Sequence, residues 1–135
     1  MDIENLLKSL VNEFKLDAIP EQNKDGIYQL NLPPDYRVNI TSLEPGFFIS
    51  SLLCPLPKEQ KETLLIYLMK ANLIGQGTGG GAIGVDPTEK HLTLSYHRPF
   101  YLSYRDFRET LEDFLNYLTY WQKEIPLFVS KFKLT

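Results

Sequence analysis

The chain has 135 residues, a mass of 15.6 kDa and a net charge of −3, and is 43% hydrophobic and 23% charged. That length suits one domain with its own core, read as residues 1–135, and the composition excludes a disordered chain. With 14 basic against 17 acidic residues and no basic run, a nucleic-acid partner is excluded, and a single cysteine, Cys54, excludes a disulfide framework and favours a reducing compartment.

Residues 2–16 place Ile3, Leu6, Leu7, Leu10, Val11 and Phe14 on one stripe at three- and four-residue spacing, which predicts a helix with one apolar face. Asp2 and Glu4 fall in its first turn, where the helix dipole favours negative charge. An acidic start that alternates apolar with polar residues is unlike a secretory signal. Pro20 and the polar stretch Glu21–Gly26 are expected to end the helix. Strands follow at Ile27–Leu32 and Tyr36–Thr41, each with a period of two, joined by a turn at Pro33-Pro34-Asp35. Glu44-Pro45-Gly46 makes the next turn. The third strand, Phe47–Cys54, is apolar on both faces in its first half, as expected of a central or doubly covered strand.

Pro55 and Pro57 stop that strand, and residues 58–73 read as a helix. Its middle, Leu64–Met69, is apolar all round, the longest such run and far short of a membrane span. A domain this small cannot surround such a helix, so one side is expected on the sheet and another on a second subunit. After the glycine-rich segment 75–81 come strands at Ala82–Asp86 and His91–Tyr96. Ser103 is the expected N-cap of a last helix with Tyr104, Phe107, Leu111, Phe114, Leu115, Leu118 and Trp121 on its apolar stripe. Pro126 is expected to end that helix. The class is α+β: three helices on a twisted, mainly antiparallel sheet, in the order α-β-β-β-α-β-β-α.

Catalytic patterns are thin. Gly75, Gly77 and Gly80 match G-x-G-x-x-G, but a dinucleotide site needs a strand before that loop and a helix after it; here the order is reversed. Gly75 reads instead as a left-handed helix cap. His91 and His97 lie about 20 Å apart on one strand, too far to share a metal. Cys54 reads as a buried strand residue without a second thiol for zinc, and Asn39-Ile40-Thr41 as strand residues rather than a glycosylation site. An enzyme is not expected, and neither a metal nor any cofactor is called for. The strands and the middle helix carry more apolar residues than a core of this size requires, which points to a surface that binds protein.

The run Ala71–Asp86 (ANLIGQGTGGGAIGVD), the strand Leu92–Pro99 and the closing stripe Phe107, Leu111, Phe114, Leu118, Trp121 resemble class I type III secretion chaperones, the Tir-chaperone (CesT-type) family. The resemblance implies a homodimeric, cytoplasmic, non-enzymatic bacterial chaperone. It would bind an N-terminal segment of secreted effector proteins, hold it extended, and deliver it to the export machinery of a secretion apparatus. Leu30, Leu32, Val38, Ile40 and Phe48 are then expected to contact the client. Leu65, Ile66, Met69, Leu73, Ile83 and Val85 are expected at the dimer interface. Two alternatives remain at this level: a small apolar-ligand carrier using the sheet face as a pocket, and an enzyme using Cys54 or the glycine loop.

Overall fold

The computed structural model describes residues 3–43, 46–75, 77–99 and 103–133. The expectations for Asp2, for Glu44-Pro45 in a turn and for Gln76 lie outside the described residues. The order of elements is α1 (Ile3–Phe14), β1 (Ile27–Leu32), β2 (Tyr36–Leu43), β3 (Gly46–Pro55), α2 (Lys61–Asn72) with a 3₁₀ turn at Leu73–Gly75, β4 (Ala82–Val85), β5 (His91–Pro99) and α3 (Tyr104–Lys133). The strands form one five-stranded sheet in the order β1-β2-β3-β5-β4. The pairs β1–β2, β2–β3 and β4–β5 are antiparallel, and β3 is the middle strand.

The chain divides into two compact units, one of residues 1–50 and 96–113, the other of residues 51–95 and 114–135. In the first unit, the stripe Ile3, Leu6, Leu7 and Leu10 of α1 is buried together with Tyr28, Leu30 and Leu32 of β1, Val38 and Ile40 of β2, and Phe47 and Ile49 of β3. Phe107 of α3 meets Phe47 edge to face at 5.7 Å. Helix α1 stops at Phe14, earlier than Pro20, because Lys15 turns left-handed (φ 51°) and Leu16 N–H closes on the Val11 carbonyl at 3.1 Å. Pro20 comes too late to be the terminator. The turn 33–35 forms as expected, and its Pro33–Pro34 peptide is cis.

In the second unit, Leu64 and Leu68 of α2, Ile83 of β4, Leu92 and Leu94 of β5, and Phe114, Leu118, Trp121, Ile125 and Val129 of α3 are buried. Tyr67 stacks on Phe128 with ring centroids 4.3 Å apart. Ser103 caps α3 as expected, its Oγ accepting the Asp106 N–H at 3.1 Å. The helix does not end at Pro126: it runs through to Lys133. Proline removes one helical hydrogen bond and crowds the preceding turn, a cost of about 3 kcal/mol. Trp121, Ile125 and Val129 continue the buried stripe at four-residue spacing, and burying an apolar side chain contributes about 1.5–3 kcal/mol. Two such residues past Trp121 offset the proline.

Candidate functional site

Strand β1 ends the sheet on one side, so its outer row of N–H and C=O groups is a template for an extended chain. Asn23 N–H donates to the Ile27 carbonyl at 2.9 Å, which fixes Ile27 as an outward-facing backbone position. Alternation along an antiparallel strand then turns Gln29 and Asn31 outward and leaves Tyr28, Leu30 and Leu32 to bond β2. Beside this edge runs a groove of about 870 Å³ between residues 16–20 and residues 29–37. Ile19, 47% exposed, gives it an apolar wall, and Asp17, Asp35 and Arg37 give it charge.

The second unit presents a different surface. Leu64 and Leu68 fill the inner side of α2, while Ile66 (56% exposed), Met69 (71%) and Leu73 (68%) point out at i, i+3 and i+7. Val85 on β4 is exposed as well. Asn72, the last residue of α2, holds β4 like a short strand: its Nδ2 donates to the Ile83 carbonyl at 2.8 Å and its Oδ1 accepts the Ile83 N–H at 2.7 Å. The glycine segment closes on itself. Gly75 is left-handed (φ 70°), and a Cβ there would lie 2.7 Å from the Gly80 Cα. Gly77 approaches Ala71 so closely that a Cβ would lie 2.9 Å from the Ala71 Cβ. Gly77 N–H donates to the Ala71 carbonyl at 3.0 Å, and its own carbonyl accepts the Trp121 indole N–H at 2.8 Å. The loop is therefore a packed joint; α2 is capped by Leu73 with an ordinary φ of −59°, and the left-handed Gly75 closes the 3₁₀ turn that follows instead of capping α2 as expected.

The titratable groups are arranged for structure. Tyr104 and Arg108 of α3 both donate to the Glu13 carboxylate, Arg108 at 2.7 Å, and hold it below the usual carboxylate range. Burial, with Glu13 beside it, pushes the Tyr104 phenol up to about 12. Burial likewise pushes up Tyr67, which donates to Glu124 at 3.1 Å, to about 12. Burial alone raises the Cys54 thiol, which disfavours the thiolate a nucleophile needs. Burial pushes the Asp86 carboxyl up, but hydrogen bonds from Thr88, His91 and Lys90 outweigh it and leave the group below its ordinary value. Among the described residues, no group of three or more His, Cys, Asp and Glu could hold a metal ion.

Of the residues expected to touch a client, Leu30, Leu32, Val38 and Ile40 are core residues, 0–9% exposed. They are not free contact positions, because the apolar face of each strand is the one the fold covers. Phe48 lies on the other face and is half-buried. Of those expected at a dimer interface, Ile66, Met69, Leu73 and Val85 are exposed, Leu65 is half-buried and Ile83 is buried. Sequence reasoning missed the connector 16–20 and the outward positions Gln29 and Asn31. The polar phase of the β1 alternation was the available signal for the latter.

The family model of the Tir chaperone protein (CesT) family matches residues 5–122. The chain belongs to that family. It is 27% identical over 128 residues to the Chlamydia pneumoniae protein CPj0713/CpB0740, covering 93% of this chain and 97% of that one. Its fold is similar to a chain in the HopA1–SchA chaperone–effector complex, with a TM-score of 0.67 and 14% identity over 88% of this chain and 91% of that one. It is also similar to a chain in the complex of the Yersinia pestis type III secretion chaperone SycH with a stable fragment of YscM2 (TM-score 0.65, 16% identity, 86% and 96% covered). The family model spans the glycine segment and Asn72, so the packed joint described above lies within the matched region.

Proposed function

We propose that the chain, working as one domain over residues 1–135, is a type III secretion chaperone. It binds the N-terminal segment of secreted effector proteins, keeps it extended and competent for secretion, and delivers it to the export machinery. The observation that carries this reading is the family match over residues 5–122, joined to the fold it shares with chaperones solved with their partners. The family is one of non-enzymatic effector-binding proteins. The carrier alternative has no support: the covered side of the first unit is filled by Leu30, Val38, Ile40, Phe47 and Ile49, at 0–2% exposure.

The mechanism needs no cofactor. An extended client segment adds to the β1 edge, where backbone hydrogen bonds hold any sequence, while side chains in the groove set preference. Contact uses Phe48 and the groove walls around Ile19; Leu30, Leu32, Val38 and Ile40 support them from the core. The working unit is a homodimer joined through the exposed face of α2 and β4, because a stripe of apolar side chains on one helix face is costly in water. The lone cysteine supports a location in the bacterial cytoplasm, and no helix among the described residues is long and apolar enough to cross a membrane.

The test is co-purification of the tagged chain from its native cytoplasm, followed by limited proteolysis of what it holds. The expected result is one or a few secreted proteins whose N-terminal segment alone is protected. Protection of a folded C-terminal domain, with the N-terminal segment cut freely, would refute the reading.

A further inference from the structure

Part of the β1 edge is already occupied, and by this chain itself. Gln22 forms an antiparallel bridge with Tyr28. Beyond the Asn23 N–H bond to the Ile27 carbonyl, the Asn23 side chain adds a second tie, its Oδ1 accepting the Ile27 N–H at 3.0 Å. The same Oδ1 accepts the Asp25 N–H at 2.9 Å, Gly26 N–H donates to the Asn23 carbonyl at 3.0 Å, and Gln22 Nε2 donates to the Gly26 carbonyl at 3.2 Å. Residues 21–25 are otherwise exposed. A strand edge is an aggregation liability, and covering it with a short segment of the same chain is one way proteins blunt it.

We infer that residues 21–23 are an intramolecular strap that stands in for a client strand at the Tyr28 end of β1, so that an incoming segment pairs only beyond Gln29, at Asn31, unless it displaces the strap. The inference rests on the edge-pairing reading of the preceding subsection. Asn23 is the positioning residue, because both polar groups of Ile27 are satisfied by it. The bridge at Tyr28 takes up the outward backbone from Ile27 to Gln29, and the outward backbone groups of Asn31 lie beyond it. The strap is also the continuation of the groove wall 16–20. Holding it down shortens the usable edge, and releasing it extends the edge from Asn31 back to Ile27, about two pleats. A short edge favours clients whose extended stretch is brief and disfavours indiscriminate strand addition.

The test compares the full chain with Asn23→Ala and Asn23→Pro. Asn23→Ala removes the side-chain acceptor of the Ile27 amide; Asn23→Pro removes the backbone donor as well. The probe is a decapeptide of alternating valine and lysine, titrated by fluorescence anisotropy, with amide exchange followed by NMR. Without peptide, Asn23→Ala should speed exchange at Ile27 at least tenfold and leave Leu30 and Leu32, which bond β2, unchanged. With peptide, Asn31 should gain protection in all three proteins, and Ile27 and Gln29 should gain it only in the variants, with affinity rising about tenfold. An unchanged affinity, with Asn31 protected by peptide in every protein, would overturn the strap while leaving edge pairing intact. A failure of the peptide to protect Asn31 in any of the three would overturn both. If Asn23→Pro lowers the melting temperature by more than a few degrees, Asn23→Ala alone decides the comparison.

Discussion

Asn72 offers a sharp check on how α2 holds β4. Its amide makes two hydrogen bonds to the backbone of Ile83, at 2.8 and 2.7 Å, in a partly buried setting. A hydrogen bond contributes about 0.5–1.5 kcal/mol net, and more is lost when the remaining partner is left unsatisfied. Asn72→Ala deletes both bonds and strands the Ile83 N–H and C=O, so the expected loss is about 2 kcal/mol. For a chain of this size that is a fall of roughly 6–10 °C in melting temperature. Asn72→Asp keeps the acceptor but loses the donor, and its carboxylate faces the Ile83 carbonyl. When protonated, the introduced carboxyl regains a donor, so its folded pKa rises above the unfolded value of about 3.9. Its favourable contribution is then present below the unfolded pKa and lost as pH rises through the folded pKa. The variant should therefore approach the wild type near pH 4 and fall away from it toward pH 7. Urea unfolding followed by far-UV circular dichroism, at one protomer concentration and several pH values, measures both effects. A loss under 0.5 kcal/mol for Asn72→Ala, or an Asn72→Asp gap that does not change with pH, would refute the reasoning.

Lys15→Gly should stabilise the fold by about 1 kcal/mol in thermal unfolding, because a left-handed residue at the end of α1 carries a Cβ penalty that glycine lacks. Glu13→Gln should cost stability at neutral pH and nothing in strong acid. The depressed Glu13 pKa contributes stability above its unfolded value, and that contribution is lost as pH falls through the folded one; a difference that persists unchanged at pH 2 would contradict this. Met69→Glu should shift sedimentation from dimer to monomer while leaving the circular dichroism spectrum unchanged, since Met69 is 71% exposed within one chain. Retention of the dimer would remove α2 from the interface.

Much of the architecture follows from local rules. Period-two runs define β1 and β2, the three-four stripes define α1 and most of α3, and Ser103 marks the start of α3, because these signals depend only on near neighbours. The reversed order around the glycine loop argues against a dinucleotide site from sequence alone. Residues 71–86 and the closing stripe point to the family. Other features depend on distant parts of the chain. Alternation divides β1 and β2 into two faces, but only the packed structure shows that Leu30, Leu32, Val38 and Ile40 are filled in as core. The sheet order, with β5 between β3 and β4, depends on long-range pairing that no local pattern encodes. Pro126 is a stop by local rule, and the burial of Ile125 and Val129 overrides it. The strap on β1 has no period to reveal it, because its ties run from Asn23 to a strand residue through single hydrogen bonds that exist only once the turn has closed.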